Sequence, residues 1–186
     1  MAVSDSKGGV YIEEGLNPEL TLKCKKEKGS LAGCYCAGSV CDLKKGKAIT
    51  NEELLALPVD ILAPSALENA INGKNVSQIK AKIILEMANS GVSEEASEIL
   101  TKKGVVIIPG VLANSGGVTV SYFEWKQNIT GKKWSLKKVN SELEKKMKAA
   151  VSEVWQMKNK FKTDLYTASY LTAVERLIRK ITYSCP

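Results

Sequence analysis

The stretch Gly104-Val105-Val106-Ile107-Ile108-Pro109-Gly110-Val111-Leu112-Ala113-Asn114-Ser115-Gly116-Gly117 decides the fold. A glycine suited to closing a helix is followed at once by four β-branched residues, and a Pro-Gly pair ends the run. Such a run shows no alternation, so Val105 to Ile108 reads as a strand covered on both faces. The small polar group Ser115-Gly116-Gly117 then predicts a helix running to about Asn128.

Working upstream, the same arrangement recurs. Ala81 to Met87 is a strand ending at Ala88-Asn89, and Val59 to Ala63 is a shorter one broken by Pro64. Ala2-Val3-Ser4 reads as the last part of another strand, running into Asp5-Ser6-Lys7-Gly8-Gly9. Helix signals separate them. Asn17-Pro18-Glu19 opens a helix that Gly29 closes. Thr50-Asn51-Glu52-Glu53 is a capping box for a short helix closed by Pro58, and Ser93 starts one that stops at Gly104. Continuous apolar strands alternating with helices specify an α/β fold with a mostly parallel sheet.

Downstream the reading is helical. Ser135 caps a long helix with Leu136, Val139, Leu143, Met147, Ala150, Val151 and Val154 on one stripe. Thr163 caps the last helix, with Leu165, Ala168, Leu171, Val174, Ile178 and Ile181 turned inward. Residues 1–130 are expected to form the sheet domain, and 131–186 a C-terminal helical extension packed on it.

Composition narrows the chemistry. With 186 residues and 44% hydrophobic side chains the chain can build a real core. It contains 0 histidines, which excludes Ser–His and Cys–His catalytic pairs, a histidine base and imidazole-bound zinc within these residues. No apolar run approaches the roughly 18 residues that span a bilayer. Met-Ala-Val-Ser-Asp is no signal peptide, so a cytoplasmic protein without a membrane partner is expected. The net charge of +7 comes from residues 126–186, which hold 14 basic and 5 acidic groups. Lys137, Lys138, Lys145, Lys146 and Lys148 lie mostly between apolar positions of a helix, as on a solvated face, and no nucleic-acid partner is expected. The cysteines stand at 24, 34, 36, 41 and 185, an odd count of 5 that favours reduced thiols. Cys24, Cys34, Cys36 and Cys41 could together supply the four thiolates of a zinc site, but they lack paired Cys-x-x-Cys spacing, and no metal is expected.

Ligands of open α/β sheets lie outside the carboxyl ends of the strands. That rule selects Asp5 and Ser6 after the first strand, Ser65 and Glu68 after the second, Asn89 after the third, and Asn114 with Ser115 after the fourth. A carboxylate there can accept from both hydroxyls of a ribose diol, and an asparagine can pair with a carboxamide or a ribose. The same residues are also ordinary turn formers and helix caps.

The motif Leu112-Ala-Asn114-Ser-Gly116-Gly117-Val118-Thr-Val-Ser121-Tyr-Phe-Glu124-Trp125 resembles closely the signature of the glutamate dehydrogenase family, which acts on Glu, Leu, Phe or Val. The resemblance is strongest to archaeal glutamate enzymes. It runs in order through Val3-Ser-Asp5-Ser-Lys7-Gly-Gly9, Ile49 to Leu55, Val59 to Asn69, Ala81-Lys-Ile83 and Ala88-Asn89. It implies a Rossmann-type domain binding NAD or NADP, and oxidative deamination of L-glutamate to 2-oxoglutarate and ammonia. By resemblance, Asp5 and Ser6 lie by the adenosine ribose, and Lys7 is placed to meet a 2′-phosphate if NADP is used; Asp5 favours a free 2′-hydroxyl and Lys7 a phosphate, so the preference stays open. Ala66 lines the cleft, Asn89 meets the nicotinamide ribose and Asn114 the carboxamide. Val118 and Ser121 face the substrate.

The family's Gly-x-Gly-x-x-Gly turn and first strand are not among these residues, nor is the substrate domain with its catalytic groups, so no catalytic residue is nominated here. The expectation is therefore the cofactor-domain portion of the enzyme, inactive alone and completed by a homo-oligomer or by the missing N-terminal part. The alternative is a split or degenerate paralogue acting as an interaction module. Three departures stand near the cleft. Asn89-Ser90-Gly91 replaces the family's Asn-Gly-Pro, Met87 replaces a glycine, and Tyr166 stands where the archaeal enzymes carry arginine.

Overall fold

A computed structural model describes every residue except 35, 38–39, 42–45 and 185–186. It forms two compact units, residues 1–60 with 74–81, and residues 61–73 with 82–186.

The first unit is built on an antiparallel sheet. Strand β1 (Ala2–Asp5) turns back through Ser6-Lys7 into β2 (Gly8–Tyr11), which pairs on its other edge with β5 (Lys47–Ile49). The sequence reading had β1 entering a parallel sheet and expected no strand at 8–11. The turn chemistry explains the difference: Asp5 Oδ1 accepts from the Lys7 amide at 2.9 Å and closes a tight reversal. Gly9 permits the close pairing, because a Cβ there would lie 2.7 Å from both Ser4 Cβ and Val3 O. Helix α1 (Pro18–Lys28) begins and ends as read, with Asn17 accepting from the Leu20 amide and Gly29 at φ 73°. Two-residue strands β3 (Cys36–Ala37) and β4 (Val40–Cys41) pair with each other within the stretch read as loop. The capping box at Thr50 and Glu53 opens α2 (Asn51–Leu55) as expected.

The second unit holds the parallel sheet, in the order β6 (Ile61–Leu62), β7 (Ile83–Leu85) and β8 (Val106–Ile108). These strands are shorter than the apolar runs that announced them. Helix α3 (Glu94–Lys102) starts at the Ser93 cap and leads into Gly104 at φ 83°. After β8 comes a turn of helix not foreseen in the sequence, α4 (Gly110–Ala113), and then α5 (Gly116–Thr130). Ser135 caps α6 (Leu136–Phe161) as read. The last helix, α7 (Leu165–Ser184), is capped one residue later than expected: Asp164 Oδ1, not Thr163, accepts from the Thr167 amide at 2.8 Å.

One core cluster of this unit is Leu112, Val154, Met157, Leu165 and Ala168, against which Ile108, Ala150 and Leu171 pack. The buried Leu, Val and Met side chains each contribute about 1.5–3 kcal/mol by leaving water. The helical stripes are inward only in part. Leu136 and Val151 on α6, and Val174, Ile178 and Ile181 on α7, are 44–75% exposed. Periodicity reports a face, and these stretches of α6 and α7 carry that face into solvent. Among the described residues no helix is long and apolar enough to cross a membrane.

The cysteine reading is corrected. Cys24 on α1 and Cys34 form a disulfide and are both buried, with Leu20 against them. An odd cysteine count could not reveal a pairing that depends on α1 folding back onto residues 30–34. Their thiols are thereby withdrawn from a four-thiolate site, and the side chains of Cys36 and Cys41 lie outside the described residues. Digestion under non-reducing conditions should yield a peptide linked through Cys24 and Cys34. Cys34→Ser should lower the stability of the first unit by about 3 kcal/mol in denaturant titration.

Candidate functional site

Because β6, β7 and β8 are parallel, their carboxyl ends deliver three loops to one edge of the sheet. The loop after β6 is fixed by Pro64 O, which accepts from the Met87 and Ala88 amides at 3.0 and 2.9 Å. Ala66 follows on this loop, exposed. The loop after β7 carries Asn89, and β8 leads through α4 to Asn114. The two asparagines meet: Asn114 Nδ2 donates to Asn89 Oδ1 at 2.7 Å. That bond leaves over a donor, Asn89 Nδ2, and an acceptor, Asn114 Oδ1. This pair is complementary to a carboxamide or to neighbouring hydroxyls.

Gly110 leaves room beside them. A Cβ there would lie 3.0 Å from Ala88 O, 3.2 Å from Asn114 Nδ2 and 3.6 Å from Asn89 Cα. Ser90 sits in the left-handed region at φ 51°, a conformation that costs a non-glycine residue about 1 kcal/mol. Its carbonyl accepts from the Asn69 amide at 2.7 Å, which holds it there.

The residue that organises this edge was missed in the sequence reading. Glu86 is fully buried directly after β7. Its Oε1 accepts from the Val92 amide at 2.8 Å, and its Oε2 accepts from the Gly110 amide at 2.8 Å and from the Tyr166 hydroxyl of α7. The only signal in the sequence was an acid abutting the apolar run Ile83-Ile84-Leu85. Burial, with the Glu86 carboxylate beside it, pushes the Tyr166 hydroxyl well above the usual tyrosine range, so it remains a donor.

Val118 and Ser121 stand one turn apart on the exposed face of α5, with Ser121 Oγ donating to Gly117 O at 3.3 Å. Asp5, Ser6 and Lys7 belong to the first unit, at the β1–β2 turn. Ser6 and Lys7 are exposed. The Asp5 carboxylate is already engaged: Oδ2 accepts from the Leu31 amide at 2.8 Å and pairs with the Lys25 ammonium, while Oδ1 takes the Lys7 amide. The Lys25 hydrogen bond first, and then the Lys7 amide, lower its pKa to about 2.

Comparison with known proteins decides the family. Residues 1–184 match the Glutamate/Leucine/Phenylalanine/Valine dehydrogenase profile. The chain belongs to this family. It is 47% identical over 177 residues to a glutamate dehydrogenase of Thermotoga maritima, covering 95% of this chain and 40% of that one. It is 44% identical to the NADP-specific glutamate dehydrogenase of a Synechocystis species, covering 95% of this chain and 41% of that one. A hetero-hexameric glutamate dehydrogenase of Thermus thermophilus, solved with leucine bound, superposes with a TM-score of 0.82 at 31% identity, over 95% of this chain and 39% of that one. The chain thus spans about two-fifths of the length of these family members.

Glu86→Ala should cost about 3–5 kcal/mol by chemical denaturation, because it leaves two buried amides and the Tyr166 hydroxyl without their acceptor. Tyr166→Phe should cost about 1–2 kcal/mol, the loss of one donor. For Asp5 the folded pKa lies below the unfolded one, so its contribution is present above about pH 4 and is lost as pH falls toward 2. Thermal unfolding over that range should show a steeper loss for the wild-type chain than for Asp5→Asn.

Proposed function

We propose that this chain is the cofactor-binding part of an NAD(P)-dependent dehydrogenase that deaminates L-glutamate to 2-oxoglutarate and ammonia. The observation that carries the reading is the Asn89–Asn114 contact at the carboxyl edge of the parallel sheet, in a chain of this family. The donor set fits a nicotinamide nucleoside: the free Asn114 acceptor and Asn89 donor suit a carboxamide and a ribose hydroxyl. Bound there, the nicotinamide would supply the hydride acceptor for the substrate Cα.

The chain's own residues bind and orient. Asn114 holds the carboxamide and so fixes which ring face is presented, and Asn89 holds the adjoining ribose. Ala66, small and exposed, lets the dinucleotide pass along the sheet edge. Val118 and Ser121 border the substrate, the hydroxyl of Ser121 meeting the distal carboxylate of glutamate. For Asp5, Ser6 and Lys7 on the first unit, the role toward an adenosine ribose rests on the resemblance alone. Glu86 reaches none of these ligands. Through the Gly110 amide it keeps α4, and hence Asn114, at hydrogen-bond distance from Asn89. Orientation of this kind contributes to hydride transfer by holding the reacting atoms near attack distance.

The names of the Thermotoga and Synechocystis relatives support glutamate as substrate. The hexamer of the Thermus relative supports an oligomer, as does the exposure of Val174, Leu177, Ile178 and Ile181 on α7.

Saturation-transfer NMR of the 186-residue chain with NAD and NADP tests the reading. Nicotinamide protons should receive saturation, and Asn114→Ala should weaken binding at least tenfold, about 1.4 kcal/mol. Equal binding by wild type and Asn114→Ala, or no saturation of the nicotinamide, counts against it.

A further inference from the structure

The state of Asp5 bears on which dinucleotide this site takes, a question that rests on the reading above. A carboxylate ending a strand recognises a free ribose diol by accepting from both hydroxyls, and it repels a ribose that carries a 2′-phosphate. A carboxylate offers about four acceptor positions. At Asp5 three of them are already taken, by the Lys7 amide at 2.9 Å, the Leu31 amide at 2.8 Å and the Lys25 ammonium, which leaves room for one donor. A diol would have to displace one of these to gain its second bond.

Charge points the same way. The Lys25 ammonium lies against Asp5 Oδ2, so the local net charge of the pair is zero where an open acid would be negative. Lys25 is not buried by this contact, its side chain remaining 37% exposed beside an Asp5 side chain at 16%. Lys7 stands exposed at the tip of the adjoining turn, and Lys28 Nζ donates to Gly33 O at 3.2 Å on the loop that supplies the Leu31 amide. A hollow of about 380 Å³ opens beside the turn, walled by Lys7, Gly8, Gly9, Ala48, Glu52 and Glu53 among others. Of its two acids, Glu53 is committed to the Thr50 amide at 2.8 Å. Lysine is a point charge suited to a phosphate, and a phosphate needs no free face on Asp5.

We infer that the Lys25–Asp5 pair makes this end of the site select a ribose bearing a 2′-phosphate, so that the chain takes NADP in preference to NAD, with Lys25 as a specificity-determining residue alongside Lys7. The pair works by cancelling the charge of the acid and, together with the Lys7 and Leu31 amides, by leaving it too few acceptor positions for a diol.

The test compares 2′,5′-ADP with 5′-AMP, which isolate the two adenosine ends, by amide chemical-shift titration of the isotopically labelled 186-residue chain. The wild-type chain should bind 2′,5′-ADP about tenfold more tightly, with the largest shifts at residues 5–9 and 25–31. Lys25→Gln should lose most of that preference, and Lys25→Arg, which keeps the charge, should retain it. Equal affinity, a preference for 5′-AMP, or an undiminished preference in Lys25→Gln overturns the inference and leaves the dinucleotide reading standing. No shift with either nucleotide overturns that reading and this inference with it. If Lys25→Gln does not fold, the wild-type and Lys25→Arg affinities decide, since both must favour 2′,5′-ADP.

Discussion

The buried carboxylate of Glu86 is the interaction on which the sheet edge depends. Parallel strands end on the same side, so the amides of their following loops converge there and need an acceptor that no ladder supplies. Glu86 provides it, taking Val92, Gly110 and Tyr166 at once and so joining β7, the approach to α3, the start of α4 and the start of α7. An acid in so dry a place persists only because each oxygen is met by a donor. The position of Asn114 follows from this arrangement, since α4 begins at the glycine whose amide Glu86 holds.

Three residues shape the surroundings of that carboxylate and of the two asparagines. Tyr166 presents a hydroxyl to Glu86 and brings no second charge. Ser90 holds a left-handed turn and accepts its strain, anchored by the Asn69 amide. Gly110 leaves the space that Asn89 and Asn114 use to meet.

In the first unit the governing contact is ionic. Asp5 gathers its own turn, α1 and the loop that the Cys24–Cys34 bridge ties to α1. A carboxylate expected to wait for a ligand is thus part of the internal framework, and its chemistry toward a nucleotide changes with its partners.

The sequence by itself determined what depends on neighbours within a few residues. The caps at Asn17, Thr50, Ser93 and Ser135, the closing glycines at 29 and 104, and the three apolar runs of the parallel sheet were all legible, because capping bonds and strand patterning are set at short range. The strand-end rule also brought Asn89 and Asn114 forward as candidates. Tertiary structure alone decided that these two touch, that Glu86 holds the edge together, that Lys25 covers Asp5, and which parts of the helical stripes are inward. Those contacts join residues 20 to 80 positions apart. Nothing in the spacing of a sequence states which distant donor will reach a given oxygen, since that is fixed only when separate elements pack and exclude water.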